Sequence, residues 1–141
     1  MTPANPMRVR QLFALLALFS TAALLVSCGS SGNPNTGRVL ISVAVTPATA
    51  DGQSSPNGVV FTATGTFSLP PITAPLNFAA PYAGQFVIDN TSVATIVATG
   101  TGTITVQCVS GTSGTVFATA GALANNGTST MVSGSGRLTC P

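Results

Sequence analysis

An all-β fold, a Greek-key β-sandwich of about seven strands over residues 38–141, is what this sequence predicts, and three observations carry it. Apolar residues recur with a period of two from Arg38 onward, the pattern of a sheet with one wet face. Turn-forming clusters interrupt the alternation at near-regular spacing, which favours a sandwich over a barrel. No stretch of this region sustains the 3.6-residue spacing of a helix.

The first strand is expected to place Val39, Ile41, Val43 and Val45 on one face, and Pro47 ends it. Between Val59 and Phe67 the alternation puts Val59, Phe61, Ala63 and Phe67 inward and Thr62, Thr64 and Thr66 toward solvent. Shorter strands are expected at Gln85–Asp89, Ser92–Val97, Thr101–Cys108, Gly114–Ala120 and Gly136–Cys140. Turn signals separate them at Pro56-Asn57-Gly58, Asp89-Asn90, Ser110-Gly111 and Asn125-Asn126-Gly127, where backbone-bonding amides and glycines favour reversal. Prolines 70, 71, 75 and 81 exclude a central strand between Leu69 and Tyr82, so a long loop is expected there.

The N-terminal segment has the parts of a secretory leader. Arg8 and Arg10 are its charged region, Leu12–Val26 its apolar run, and small residues precede Cys28. Met7 is an alternative initiator to Met1, giving a compact Met7-Arg8-Val9-Arg10 start. The alternative to cleavage is a membrane helix, yet fifteen residues span only about 22 Å of a ~30 Å hydrocarbon core. Leu25-Val26-Ser27-Cys28 resembles a bacterial lipobox. That resemblance implies removal of residues 1–27, lipidation of Cys28 and anchoring in a membrane, where two or more acyl chains hold stably. Gly29 follows Cys28 where an inner-membrane retention aspartate is absent. In a two-membrane bacterium this implies the outer membrane, and in a one-membrane organism the outer face of the plasma membrane. Residues 28–37 read as a flexible tether rich in Gly, Ser and Asn, with a reach of about 16 Å.

Without the leader, Arg38, Asp51, Asp89 and Arg137 are the only charged side chains, and they cancel. A neutral domain without lysine offers no footprint for nucleic acid. With Cys28 lipidated, Cys108 and Cys140 remain, and export to an oxidising compartment permits a disulfide between them. The alternative is a pair of buried free thiols.

Several stretches carry a family resemblance. Ser42-Val43-Ala44-Val45-Thr46-Pro47, Phe61-Thr62-Ala63-Thr64-Gly65-Thr66, Ile88-Asp89-Asn90-Thr91-Ser92-Val93-Ala94-Thr95-Ile96, Gly114-Thr115-Val116-Phe117-Ala118-Thr119-Ala120 and Leu138-Thr139-Cys140 resemble, in order, strands of bacterial Ig-like domains of the second group. The resemblance spans residues 38–141. It implies an Ig-like fold and an extracellular module that spaces, presents or binds. Phe86 stands where many relatives have a tryptophan, a departure that should weaken the core slightly.

Catalytic chemistry finds few carriers. The chain contains no histidine, glutamate or lysine, so Ser-His-Asp and Cys-His arrangements are impossible within it. Asp51 and Asp89 each sit in a turn context, where an aspartate bonds nearby amides. One carboxylate beside Asn90 makes a poor calcium site. No enzyme, metal or cofactor is expected. The most unusual stretch is Leu69–Tyr82, whose Leu69, Ile72, Leu76, Phe78 and Tyr82 make it apolar. It is either a contact surface for a partner or a lid over the sandwich end. The expected function is a lipid-anchored surface module with a structural or adhesive role. The alternatives are an envelope-assembly subunit pairing with another envelope protein, and a small glycan-binding module.

Overall fold

Nine strands occur among the residues described by the computed structural model, 37–125 and 129–141. They are β1 (Leu40–Thr46), β2 (Thr49–Asp51), β3 (Val59–Phe67), β4 (Thr73–Pro75), β5 (Gly84–Ile88), β6 (Ala94–Gly100), β7 (Thr103–Cys108), β8 (Gly114–Leu123) and β9 (Met131–Cys140). The leader, Leu25, Val26, Ser27, Cys28 and the tether up to Thr36 lie outside the described residues, as does part of the turn expected at Asn125-Asn126-Gly127. Gly37–Pro141 form one unit. No helix among the described residues is long and apolar enough to cross a membrane.

The described residues form an all-β sandwich. One sheet runs β1-β3-β7-β6, with β4 added beside β3, and the other runs β2-β9-β8-β5. Leaving aside the three-residue strands β2 and β4, this is the strand order of an immunoglobulin constant-type sandwich, four strands facing three. The seven long strands overlap those expected from sequence, although β6 runs Ala94–Gly100 where Ser92–Val97 was expected.

Alternation in β3 buries Val59, Phe61, Ala63, Gly65 and Phe67 and leaves the threonines between them half-exposed. On the facing sheet, β8 contributes Val116, Ala118, Ala120 and Ala122, all buried. These small residues leave volume for Phe61, Leu40 and Leu76, which are fully buried. Large side chains thus meet small ones across the sandwich, as close packing requires. Gly136 shows how tight the fit is, since a Cβ there would lie 2.8 Å from the Phe61 ring.

Three sequence expectations need correction. In β1, Leu40 pairs with Phe67 but Ser42 pairs with Thr66, so Ile41 is an extra bulged residue. The bulge turns Leu40 inward and leaves Val39 and Ile41 exposed, while only Val43 and Val45 keep the expected face. An inserted residue reverses every side chain on one side of it. A second correction concerns the proline-rich segment, which contains β4. β7 pairs with Val59–Thr62 only, leaving the rest of that edge of β3 without partners. Thr73–Pro75 fills it by pairing with Thr64–Thr66, and a proline is tolerated because β4 is an edge strand. Third, β9 begins at Met131 rather than Gly136. Its Ser-Gly-Ser-Gly run has no apolar alternation to reveal a strand. Gly134 is needed there, because a Cβ would fall 2.0 Å from the Val43 carbonyl oxygen of the facing sheet.

Cys108 and Cys140 form a disulfide with a Cα–Cα distance of 5.6 Å, ordinary for such a bridge. It joins the ends of β7 and β9 and therefore links the two sheets. Gly52 packs against it, and a Cβ at that position would meet Cys108 Sγ at 2.3 Å.

Candidate functional site

The strand registers sort the molecule into two ends. Arg38, the start of β1, the end of β3, β4, the end of β8 and the start of β9 lie together, as Leu40↔Phe67 and Leu123↔Met131 pair there. The Leu40 amide donates to the Ala124 carbonyl at 2.8 Å and ties the two sheets at this end. The opposite end carries the disulfide, the β2–β3, β5–β6 and β7–β8 connections, and both carboxylates.

The apolar segment from Leu69 to Tyr82 belongs to the Arg38 end, and its five singled-out residues have separate fates. Leu76 and Tyr82 are buried in the core. Phe78 packs partly against the core and meets Phe86 edge-on at 5.5 Å between ring centroids. Leu69 and Ile72 stay about half exposed, at 48% and 49%. The five therefore do not form one exposed surface.

Arg38 organises this segment. Its guanidinium carbon sits 3.7 Å from the centroid of the Phe67 ring, a cation–π contact. Nε donates to the Leu69 carbonyl at 3.1 Å, and a terminal nitrogen donates to the Pro71 carbonyl. The Tyr82 hydroxyl donates to the Arg38 carbonyl at 3.0 Å, and the Tyr82 ring lies 4.9 Å from that of Phe67. Beside them the Val39 amide donates to Ser68 Oγ, and the Ser68 amide donates to the Val39 carbonyl, each at 2.9 Å. Sequence reasoning did not single out Arg38 for a role. The available signal was a lone cation flanking an apolar strand in a nearly uncharged domain.

Further along, Asn77 Oδ1 accepts the Ala79 amide at 3.2 Å, and Phe78 between them has φ 56°. A bulky residue in this left-handed region is unusual. Phe78 lines a groove of about 340 Å³ together with Asn77, Gln85, Phe86, Ile96 and Thr103. No charged group lines this groove. It lies between β5 and β6, the edge strands on one side of the sandwich. Nothing local in the sequence signals the positive φ, since the usual glycine or asparagine is absent from that position.

Only one of the two carboxylates bonds within its own turn as expected: Asp51 Oδ1 accepts the Gln53 amide at 2.9 Å. Asp89 Oδ1 instead reaches across to the Phe117 amide of β8, also at 2.9 Å, and Asn90 Oδ1 accepts the Ser92 amide of that turn at 3.1 Å. Asp51 and Asp89 stand at opposite edges of the β2-β9-β8-β5 sheet. Three strand spacings place them roughly 14 Å apart, so the two carboxylates do not act on one point. Among the described residues no three His, Cys, Asp or Glu side chains converge on a point that would hold a metal ion. Asp51 and Arg137 border a shallow, open concavity with Thr49 and Thr139.

No protein-family model, curated protein or solved structure matches this chain.

Proposed function

We propose that the chain is a lipid-anchored protein of the cell envelope, a member of the bacterial Ig-like domains of the second group, that presents one Ig-like module in a structural or adhesive role. The observation that carries this reading is the polarity of the fold. Chain entry at Arg38 lies at one end, and the loops 52–58, 89–93 and 109–113 lie at the other. A module tethered through Cys28 holds its entry end near the membrane and displays those three loops outward. The disulfide between the sheets closes the displayed end and supports a stiff presenting body. Proteins of this kind commonly carry binding residues on loops held by a rigid scaffold.

Mass spectrometry of the N-terminus isolated from producing cells tests the anchor. Acylated Cys28 in an envelope fraction is the expected result. An intact leader on a cytosolic product overturns the reading.

A second reading, a module for a neutral glycan, is favoured by the uncharged groove with Phe78 and Phe86 at its wall. Sugar faces stack on aromatic rings, and amides such as Asn77 and Gln85 suit their hydroxyls. Glycan arrays probed with the mature chain and its Phe78→Ser variant separate the two readings. Binding lost in the variant selects the glycan module, and no binding by either leaves presentation.

A further inference from the structure

Exposed apolar residues are unevenly distributed over this domain. Among the described residues nine large hydrophobic side chains are exposed, and five of them, Val39, Ile41, Leu69, Ile72 and Met131, rim the end where the chain enters. The same end carries no carboxylate, because Asp51 and Asp89 both lie at the other. The backbone of the Leu69–Ile72 stretch is fixed by Arg38 and by a continuation of the β3–β4 ladder. Arg38 fixes the carbonyls of Leu69 and Pro71, and the Phe67 amide donates to the Ile72 carbonyl at 2.7 Å. Leu76 and Tyr82 cover the core at this end, and Leu69 and Ile72 remain about half exposed beside them.

We infer that this end of the sandwich rests on the lipid surface, with Leu69 and Ile72 entering the interface between headgroups and acyl chains. The inference rests on the proposed anchoring through Cys28. Only nine residues separate Cys28 from Arg38, and a tether of that length has a reach of about 16 Å. Arg38 and the residues it supports are thus the part of the domain nearest the anchor. Apolar side chains buried in the interface add to the hold of the acyl chains. Segregation of both carboxylates to the far end removes the repulsion that an anionic surface would otherwise exert. Contact at this end also sets the orientation of the body, so the loops opposite point away from the membrane.

The chain contains no tryptophan, so one introduced indole reports its own surroundings. Leu69→Trp and Ile72→Trp place the reporter at the entry end, and Gln53→Trp places it at the far end. Each full-length variant is produced in cells that process the leader, checked by mass at Cys28, and reconstituted in vesicles of phosphatidylethanolamine with a minority of phosphatidylglycerol. Emission from Leu69→Trp and Ile72→Trp is expected to shift to the blue and to lose most of its intensity when the acyl chains are brominated. Gln53→Trp is expected to do neither. Acylated protein that floats with the vesicles while all three variants respond alike overturns the inference and leaves the anchor standing. Unmodified Cys28 with no flotation overturns the anchor, and the inference with it. Blue-shifted but unquenched emission at the entry end, together with cross-linked dimers, assigns that end to a second copy and also overturns the inference.

Discussion

Replacing Cys108 and Cys140 with alanine is expected to remove a large part of the stability of this domain. The bridge closes a loop with a sequence separation of 32 residues. In the chain-entropy treatment such a loop contributes about 3.7 kcal/mol at 25 °C by restricting the unfolded chain. Small domains have only about 5–15 kcal/mol in total. For a unit of this size the unfolding entropy converts that loss into a fall in Tm of about 17 °C. Urea unfolding followed by circular dichroism, with calorimetry as a second probe, measures both quantities. Gly52 makes the prediction sharper. Its missing side chain accommodates Cys108 Sγ, which would lie 2.3 Å from a Cβ. Gly52→Ala should therefore cost about 1–3 kcal/mol in the bridged protein through overpacking. With both sulfurs removed, the nearest obstacles are the Thr139 carbonyl at 3.3 Å and Cys108 Cβ at 3.6 Å, and the same substitution should cost much less. The double-mutant cycle isolates this coupling. A loss below about 1 kcal/mol on removing the bridge, or an identical Gly52→Ala cost in both backgrounds, refutes the reasoning.

Other substitutions probe the core, the turns and the arginine. Phe61→Ala, at a fully buried position, should destabilise by about 3–5 kcal/mol, read from the urea midpoint at constant slope. Gly102 and Gly111 both have positive φ, +67° and +76°, but a Cβ at Gly102 meets the Leu76 carbonyl oxygen at 2.1 Å while one at Gly111 meets nothing within 4 Å. Gly111→Ala should therefore cost only about 1 kcal/mol of backbone strain, and Gly102→Ala clearly more; equal costs in chemical denaturation refute the close approach. Arg38→Ala removes a cation–π contact and two hydrogen bonds. It should cost about 1–3 kcal/mol and raise amide exchange at Phe67 and Ser68 before it affects β8; uniform exchange changes would show that Arg38 does not organise this end. Gly134→Ala, facing the Val43 carbonyl at 2.0 Å, should prevent the β1–β9 approach and abolish cooperative unfolding. A variant with native-like cooperativity contradicts that contact.

How much of this was legible from residues alone depends on the range of the interaction involved. Alternation in Val59–Phe67 is written in the chain itself, because neighbouring side chains point to opposite faces whatever lies beside them. The all-β class, the seven long strands and the turns at Asp51 and Asp89 followed from such local chemistry. The pairing of Cys108 with Cys140 is what remains when Cys28 is reserved for the expected lipid and the compartment is taken as oxidising. By contrast, the Ile41 bulge, which exchanged Leu40 for Ile41 in the core, is imposed by the register of β3. No residue of β1 announces it.

Tertiary structure alone decided what the proline-rich segment does. Its composition argued correctly against a central strand, yet β4 forms there because half of one edge of β3 lacked hydrogen-bonding partners, and buried backbone groups must be paired. The five apolar residues of Leu69–Tyr82 were indistinguishable in sequence, and packing separated buried Leu76 and Tyr82 from exposed Leu69 and Ile72. Their location at the entry end, opposite the loops 52–58, 89–93 and 109–113, is likewise a matter of strand order. Period and composition determine which residues prefer a sheet. Which edge needs covering, and which end faces which way, depends on partners far away in the chain, and those are known only once the two sheets have closed on each other.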